Sequence, residues 1–536
     1  MELREQSQTP GKWTPDTVEA ANRSGRGRKR RPLLARDVQI YCVCEDLTEL
    51  LIYLMVLFSP WAFGTTQSWS IWVMNSAGYF LGAMLAVKLA IRRLKDYRPP
   101  RWDDDWAEPP GARSGRRLLT SSRLTATLAV LTVAILGYCL ISALNARATY
   151  EADALSFAYH GYVRWLPHSF DSSRTWFAFW SYLGLALSFW AVRDWLSGKS
   201  TAEERAERQA NGPGANTQAK FFPARLRRLL WLLAINGGLL GLEGIIQRLD
   251  GSGKLLFLVR PRIHKTAATQ FGPYAYYANA SQYFNLLWPG CLGFWWMLQR
   301  SHGFERKGHH VVLLCCAIMA ACPIISTSRG GALITVGMLG LATLILVATH
   351  FLFAAHRRED KSTRILTLGV LALFFAGVLT LGFSLGWKAL KPRMATLREG
   401  FQKREVEYDA ARPMAADYPV FGTGPGTFAS VSQLYRASST VNWYVQLHND
   451  WLETRITFGW IGSALIALAF ATVVLRWFAG GGIHGGRRFI MLMWLGLGGC
   501  LVHARFDFPF QIHSIVFLFL VLCAMLFNLS RNPSVG

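Results

Sequence analysis

The chain has 536 residues, 51% of them hydrophobic and 13% aromatic, and a formal net charge of +24. A soluble chain of this length would divide into several domains. Here the apolar residues instead fall in runs of about 18–25, the length that crosses a hydrocarbon core. Most of the positive charge sits in gaps on one side of those runs, which is a topology signal and excludes a nucleic-acid footprint as its simplest meaning.

Residues 1–46 are polar and Gly/Arg-rich and predict a disordered basic cytoplasmic tail, with no apolar run close enough for a cleavable leader. Twelve spans are predicted, at 47–64, 70–90, 124–146, 175–192, 229–247, 277–298, 311–328, 330–354, 365–387, 452–475, 489–504 and 509–529. GRGRKRR (25–31) places the N-terminus in the cytoplasm, so the even-numbered gaps face inward. The short ones read QRSHGFERKGHH, AHRREDKSTR and RWFAGGGIHGGRR, as the positive-inside rule requires. Residues 47–228 form N-terminal transmembrane helices with two cytoplasmic loops, 91–123 and 193–228. Residues 229–530 form a second membrane region containing one larger outward loop, 388–449. The expected fold class is all-α and polytopic. The nine cysteines show no CxxC pair and no Cys/His cluster with metal spacing, so neither disulfides nor a structural zinc is expected. No internal repeat is visible, which counts against many transporter folds.

The unusual residues fall in outward gaps. LVRPRIHK (258–265) brings Arg260, Arg262 and Lys265, and FGPYAYYANASQYFN (271–285) brings Asn279. In TSRGG (327–331), Arg329 is either a helix-end arginine reaching the head groups or an anion-binding fork suited to phosphate. The 388–449 loop carries eight Lys and Arg, Arg412 among them, which suits lipid head groups or an anionic lipid-linked substrate equally. FGTGPGTF (421–428), with Gly424, reads as a tight turn or a phosphate-cradling loop, although it lacks the P-loop lysine. In QLHNDWLETR (446–455), Asp450 and Glu453 have capping-box spacing, so a helix begins there and His448 lies just ahead of it, followed by Asn449. The positive helix end favours an uncharged ring that can accept a hydroxyl proton; a histidine that merely hydrogen-bonds the loop is the plainer alternative. HARFDFPFQ (503–511) is the last polar outward segment.

In this order the segments resemble the O-antigen ligase and polymerase superfamily of bacterial envelope glycan enzymes. The strongest likeness runs from DYPVFGTGPGTF (417–428) to LHNDWLETRITFGWIG (447–462). GLEGIIQRLDG (241–251), the 271–290 block, TSRGG and LVHARFDFPFQI (501–512) support it. The resemblance implies a GT-C-like fold and metal-independent glycosyl transfer at the periplasmic face of the inner membrane, with no cofactor. The donor would be a glycan on undecaprenyl diphosphate and the acceptor a lipid- or glycan-linked hydroxyl. It implies His448 and Arg329 as catalytic residues. For substrate binding it points to Arg260, Arg262, Lys265, Asn279, Arg412, Gly424, Asn449 and Asp450. Relatives carry an arginine and a histidine where this chain reads YAYYANASQYF, so Arg260, Arg262 or Lys265 would have to replace them. The family's glutamate is replaced at Thr457. A single displacement would invert the anomeric centre; a retaining route would want a carboxylate such as Asp450. A polysaccharide polymerase of the same superfamily is the near alternative. A lipid-linked glycan transporter or flippase, with Glu243 as its deepest charge, is the distant one.

Overall fold

The computed structural model describes residues 32–102, 121–210, 223–302, 308–354, 361–436, 445–479 and 487–529. In chain order the elements are α1 (Ala35–Trp61), α2 (Ser68–Leu94), α3 (Ser121–Leu144), strands β1 (Ala148–Glu151) and β2 (Ser156–Tyr159), α4 (Ser172–Leu196), α5 (Thr201–Ala210), α6 (Ala224–Asp250), α7 (Tyr277–His302) and α8 (His310–Ile325). There follow α9 (Arg329–Ala354), α10 (Lys361–Gly382), α11 (Lys388–Ala395), α12 (Leu397–Asp417), α13 (Phe428–Val431), α14 (Asp450–Ala479), α15 (Arg487–His503) and α16 (His513–Leu529). The protein is a mostly helical, polytopic membrane protein.

A helix stands at each of the twelve expected positions, but among the described residues seven helical stretches are long and apolar enough to cross a membrane. They comprise α2, α3, α4, α6, α9, α14 and Ile365–Ala395, which continues α10 through a π-turn into α11. The other five differ for physical reasons. α8, α15 and α16 are shorter apolar helices. α16 is buried along nearly its whole length, as a helix apolar all round should be. α7 buries Asn279, Ser281, Gln282 and Asn285 against neighbouring helices, so its polar half faces protein and not lipid. α1 carries Asp37, Glu45, Asp46 and Glu49.

Those acids also correct the expected tail. α1 begins at Ala35, where residues up to 46 were read as disordered. Two of its carboxylates are not left to water: Glu45 meets Lys88 at 2.9 Å and also pairs with Arg225, and Glu49 meets Arg228 at 2.8 Å. Lys88, fully buried, also faces Asp194 at 3.2 Å, which Arg92 (2.6 Å) and Arg101 (3.1 Å) share. Residues 1–31 lie outside the described residues. The all-α expectation is corrected by one antiparallel hairpin, in which Ala148 stands opposite Tyr159. ATYE and SFAY are short and rich in aromatic residues, and they lie in a gap that hydropathy leaves blank.

Close helix contacts follow small residues. Gly237, Gly238 and Gly241 of α6 lie against Met319, Cys315 and Ile318 of α8 so tightly that an added Cβ would come within 3 Å of each.

The helix ends separate into two layers. In one layer Trp102 N–H donates to the Ser197 carbonyl, Ser197 Oγ bonds Asn528, and Arg476 bonds the Phe527 carbonyl. In the other, Phe170 N–H donates to the Thr423 carbonyl, Tyr150 to Gln433, Ser514 to the Gly64 carbonyl, and Asp450 N–H to the Ala504 carbonyl. The odd-numbered gaps thus share one face and the described even-numbered gaps the other. Reporter fusions after Ser200 and after Arg412 are expected to give opposite signals; equal signals would break this alternation.

Candidate active site

The site is built at the face that gathers the odd-numbered gaps. α14 starts at Asp450, but its N-cap is Asn449, whose Oδ1 accepts the Leu452 N–H at 3.2 Å. Glu453 reaches back past the expected cap residue, to the Leu447 N–H at 2.7 Å, while the Asp450 N–H goes to the Ala504 carbonyl. The cap therefore shifts by one residue from the expected Asp450. The Asp450 carboxylate turns instead to the loop after α15, accepting the Phe510 N–H at 2.7 Å and Gln511 Nε2 at 3.3 Å. That bond joins the start of α14 to the α15–α16 connection and thereby sets the height of His448.

His448 is about a quarter exposed, and its Nδ1 lies 3.0 Å from Asp507 Oδ1, whose side chain is 3% exposed. Asp507 also accepts the Phe508 N–H at 3.2 Å and faces Arg404 of α12 at 3.8 Å. Arg404 in turn donates to the Phe506 carbonyl, and Tyr408 donates to the His448 carbonyl. Burial pushes the Asp507 carboxyl upward, but the His448 hydrogen bond and the charges of His448 and Arg404 outweigh it and hold the group below the usual carboxylate range. The Arg404 guanidinium, weakened by burial, is raised overall by Asp507. In the uncharged ring, the hydrogen bond to an ionised Asp507 puts the proton on His448 Nδ1 and leaves Nε2 as an acceptor. The helix end was the electrostatic neighbour expected for His448; the structure adds Asp507 and Arg404.

An aromatic wall borders the ring. His448 lies 5.0 Å from Phe508 and 6.4 Å from Tyr276, and Tyr276 stacks on Phe508 at 5.7 Å. Tyr277, 4.9 Å from Tyr276, opens the next compartment. There Arg393 of α11 lies over the Tyr277 ring at 4.4 Å and donates to Thr327 Oγ1 at 3.1 Å, which Arg248 of α6 also reaches at 2.8 Å. Neither arginine forms an ion pair with a carboxylate among the described residues. Thr327 holds φ at 64°, a costly conformation for a β-branched residue, at the corner that these two guanidinium groups grip.

The other expected residues are dispersed. Arg329 follows this corner, and its NH1 donates to the Thr396 carbonyl at 2.9 Å, between α11 and α12. Asn279 is buried in the first turn of α7, its Oδ1 without a hydrogen-bond partner. Arg412 is exposed and pairs with Asp409. Arg260, Arg262 and Lys265 are exposed on the connection between α6 and α7. Gly424 is a packing position: at φ 108° an added Cβ would lie 2.7 Å from Ser169. The whole glycine block works this way. Gly422 (φ 68°) and Gly459 (φ 60°), the latter at a kink within α14, approach so closely that a Cβ on either would lie within 2.6 Å of the other's nitrogen.

A histidine–carboxylate pair thus stands on one side of an aromatic wall, and on the other are two arginines that meet no carboxylate among the described residues. Residues 314–467 match the family model described as O-antigen ligase. The resemblance read from the motifs is thus shown over that stretch, and it implies membrane glycan transfer of the ligase or polymerase kind. The matched range contains Thr327, Arg329, Arg393, Arg404 and His448; Arg248, Tyr276, Tyr277 and Asp507 lie outside it. No curated protein matches the chain.

Proposed function

We propose that the protein is a ligase-like glycosyltransferase of the bacterial inner membrane. It moves a glycan from undecaprenyl diphosphate to an acceptor hydroxyl at the periplasmic face, with all twelve apolar helices as spans of a GT-C-like fold. Residues 229–530 are the catalytic region on this reading, since each residue of the site lies between Arg248 and Phe508. The observation that carries the proposal is the division of labour across the Tyr276–Tyr277 wall: a base on one side, cations without anions on the other.

The acceptor hydroxyl oxygen attacks the anomeric carbon while the bond from that carbon to the diphosphate oxygen breaks. His448 Nε2 takes the hydroxyl proton, and Asp507 stabilises the imidazolium that forms. The electron pair leaves on undecaprenyl diphosphate, whose charge is met by Arg248, Arg393 and Arg329. One such displacement inverts the anomeric centre and calls for no metal. In the reconstituted protein, a lipid-linked glycan and an acceptor should yield glycosylated acceptor and free undecaprenyl diphosphate in equal amounts. Absence of both products with folded protein would refute the reading. In a deletion strain, uncapped core with accumulated lipid-linked polymer identifies a ligase, and single repeat units identify a polymerase.

Arg329 offers a sharper test. Lysine could keep the single bond to the Thr396 carbonyl but cannot reproduce a two-pronged phosphate contact. Arg329→Lys is therefore expected to impair transfer nearly as much as Arg329→Ala. A near-normal rate in the lysine variant would reduce Arg329 to a brace for the α11–α12 corner.

One observation favours the transporter reading: both Glu243 carboxylate oxygens, in α6, are buried without a hydrogen-bond partner. Glu243→Gln separates the two, since the transfer chemistry above does not use this group and a proton-coupled carrier would.

A further inference from the structure

The lipid-facing stripe of α6, Leu239, Leu242, Ile246 and Leu249, is exposed up to its last turn, so hydrocarbon reaches nearly to Asp250. The chain does not then climb away. Gly251 caps α6 in the left-handed conformation, and Gln247 Nε2, one turn back, donates to the Lys254 carbonyl at 3.0 Å. Residues 254–265 therefore begin beside the end of the span, at head-group height.

Two properties of this segment do not fit a loop meant for water. Leu258 is 79% and Ile263 74% exposed, and Phe257 and Val259 are exposed beside them. Interleaved with these side chains are exposed Lys254, Arg260, Arg262 and Lys265, none in an ion pair among the described residues. The display is ordered. Leu255 and Val259 exchange backbone hydrogen bonds at 2.8 and 3.1 Å across the turn, and Gln270 Nε2 holds the Gly253 carbonyl at 3.1 Å. Leu256, Phe257 and His264 take positive φ. A backbone held in costly conformations so that apolar and cationic side chains both point outward suits an interface where each finds a partner.

We propose that residues 254–265 form an interfacial anchor for anionic phospholipid. Leu258 and Ile263 enter the acyl boundary, and Lys254, Arg260, Arg262 and Lys265 meet head-group phosphates. Charge complementarity selects this occupant, because four cations face outward with only Asp250 nearby in the sequence. The inner side of the same segment carries His264, whose ring stacks on Tyr276 at 5.4 Å, so seating the loop also seats the aromatic wall beside His448.

The proposal does not depend on the transfer reading and is tested without turnover. A polarity-sensitive fluorophore is placed on Leu258→Cys, with the unsubstituted protein labelled in parallel, and the folded protein is reconstituted in phosphatidylcholine vesicles with or without phosphatidylglycerol. The expected result is quenching by lipid carrying a head-group spin label and shielding from iodide. Shielding should be several-fold stronger with phosphatidylglycerol, and that increment should be lost in Arg260→Ser/Arg262→Ser protein of unchanged thermal stability. Free access of iodide in both vesicle types would overturn the anchor. Lipid quenching indifferent to phosphatidylglycerol and to the two arginines would overturn the recognition of anionic head groups.

Discussion

Replacing His448 with Ala is expected to lower the turnover of bound substrates by about 10²–10⁴, the size of a general acid–base contribution, while the lipid-linked donor should still bind. The expectation follows from the geometry, because the arginines around Thr327 are untouched by the change. Asp507→Asn should cost nearly as much, since an amide at 3.0 Å from Nδ1 can donate to that nitrogen and so favours the tautomer that places the proton on Nε2, the wrong atom for a base. Single-turnover rates and donor binding in the same preparations check both variants. Loss of donor binding in His448→Ala, with normal transfer at saturating donor, would make the histidine a substrate ligand. The folded pKa of Asp507 is depressed, so its contribution to stability is present above the ordinary carboxylate value and is lost as pH falls through the folded one. As pH falls below the ordinary carboxyl value of 3.8, the unfolding temperature should therefore drop less steeply in Asp507→Asn than in the unsubstituted chain.

Arg393→Ala should act on the other compartment. Hydrogen bonds to a charged group are worth about 1.5–3 kcal/mol, so the donor KM should rise by about 10–100-fold with a smaller change in kcat at saturation. Arg393 suits this test better than Arg248, which also holds the Ala267 and Gln270 carbonyls and so braces the α6–α7 connection. Arg393→Lys restores the charge without the fork and should recover only part of the loss. An unchanged KM in both variants would remove Arg393 from the donor site and leave it as a partner of Tyr277.

Much of this arrangement could be read in the sequence because membranes impose simple length and charge rules. A helix stands at each position where hydropathy places one, and among the described residues seven of these are long and apolar enough to cross a membrane. What hydropathy cannot see is a helix whose polar side is covered by protein. That is why α1 begins at Ala35, with Glu45 and Glu49 paired to Lys88, Arg225 and Arg228. His448 stood out because a histidine precedes a capped helix. Asp507 lies 59 residues on, in a segment distinctive as a whole, and no local spacing ties it to the ring. Arg248 and Arg393 were hidden for another reason. Each is one basic residue among several at a helix end or in a basic loop, and only their convergence on Thr327 distinguishes them. The glycine block read as a tight turn or a phosphate cradle, and its close contacts form the joint between a loop and the kink at Gly459.

The bond between Asp450 and the Phe510 N–H has a consequence for biogenesis. His448 comes with α14, but its carboxylate partner arrives only when the α15–α16 hairpin has been made and its connecting turn has docked on the start of α14. A nascent chain halted before Arg487 would thus hold the histidine and the arginines yet lack a working base. On the proposed function, competence for chemistry would be coupled to completed insertion, and a half-inserted protein would meet the lipid-linked pool inert.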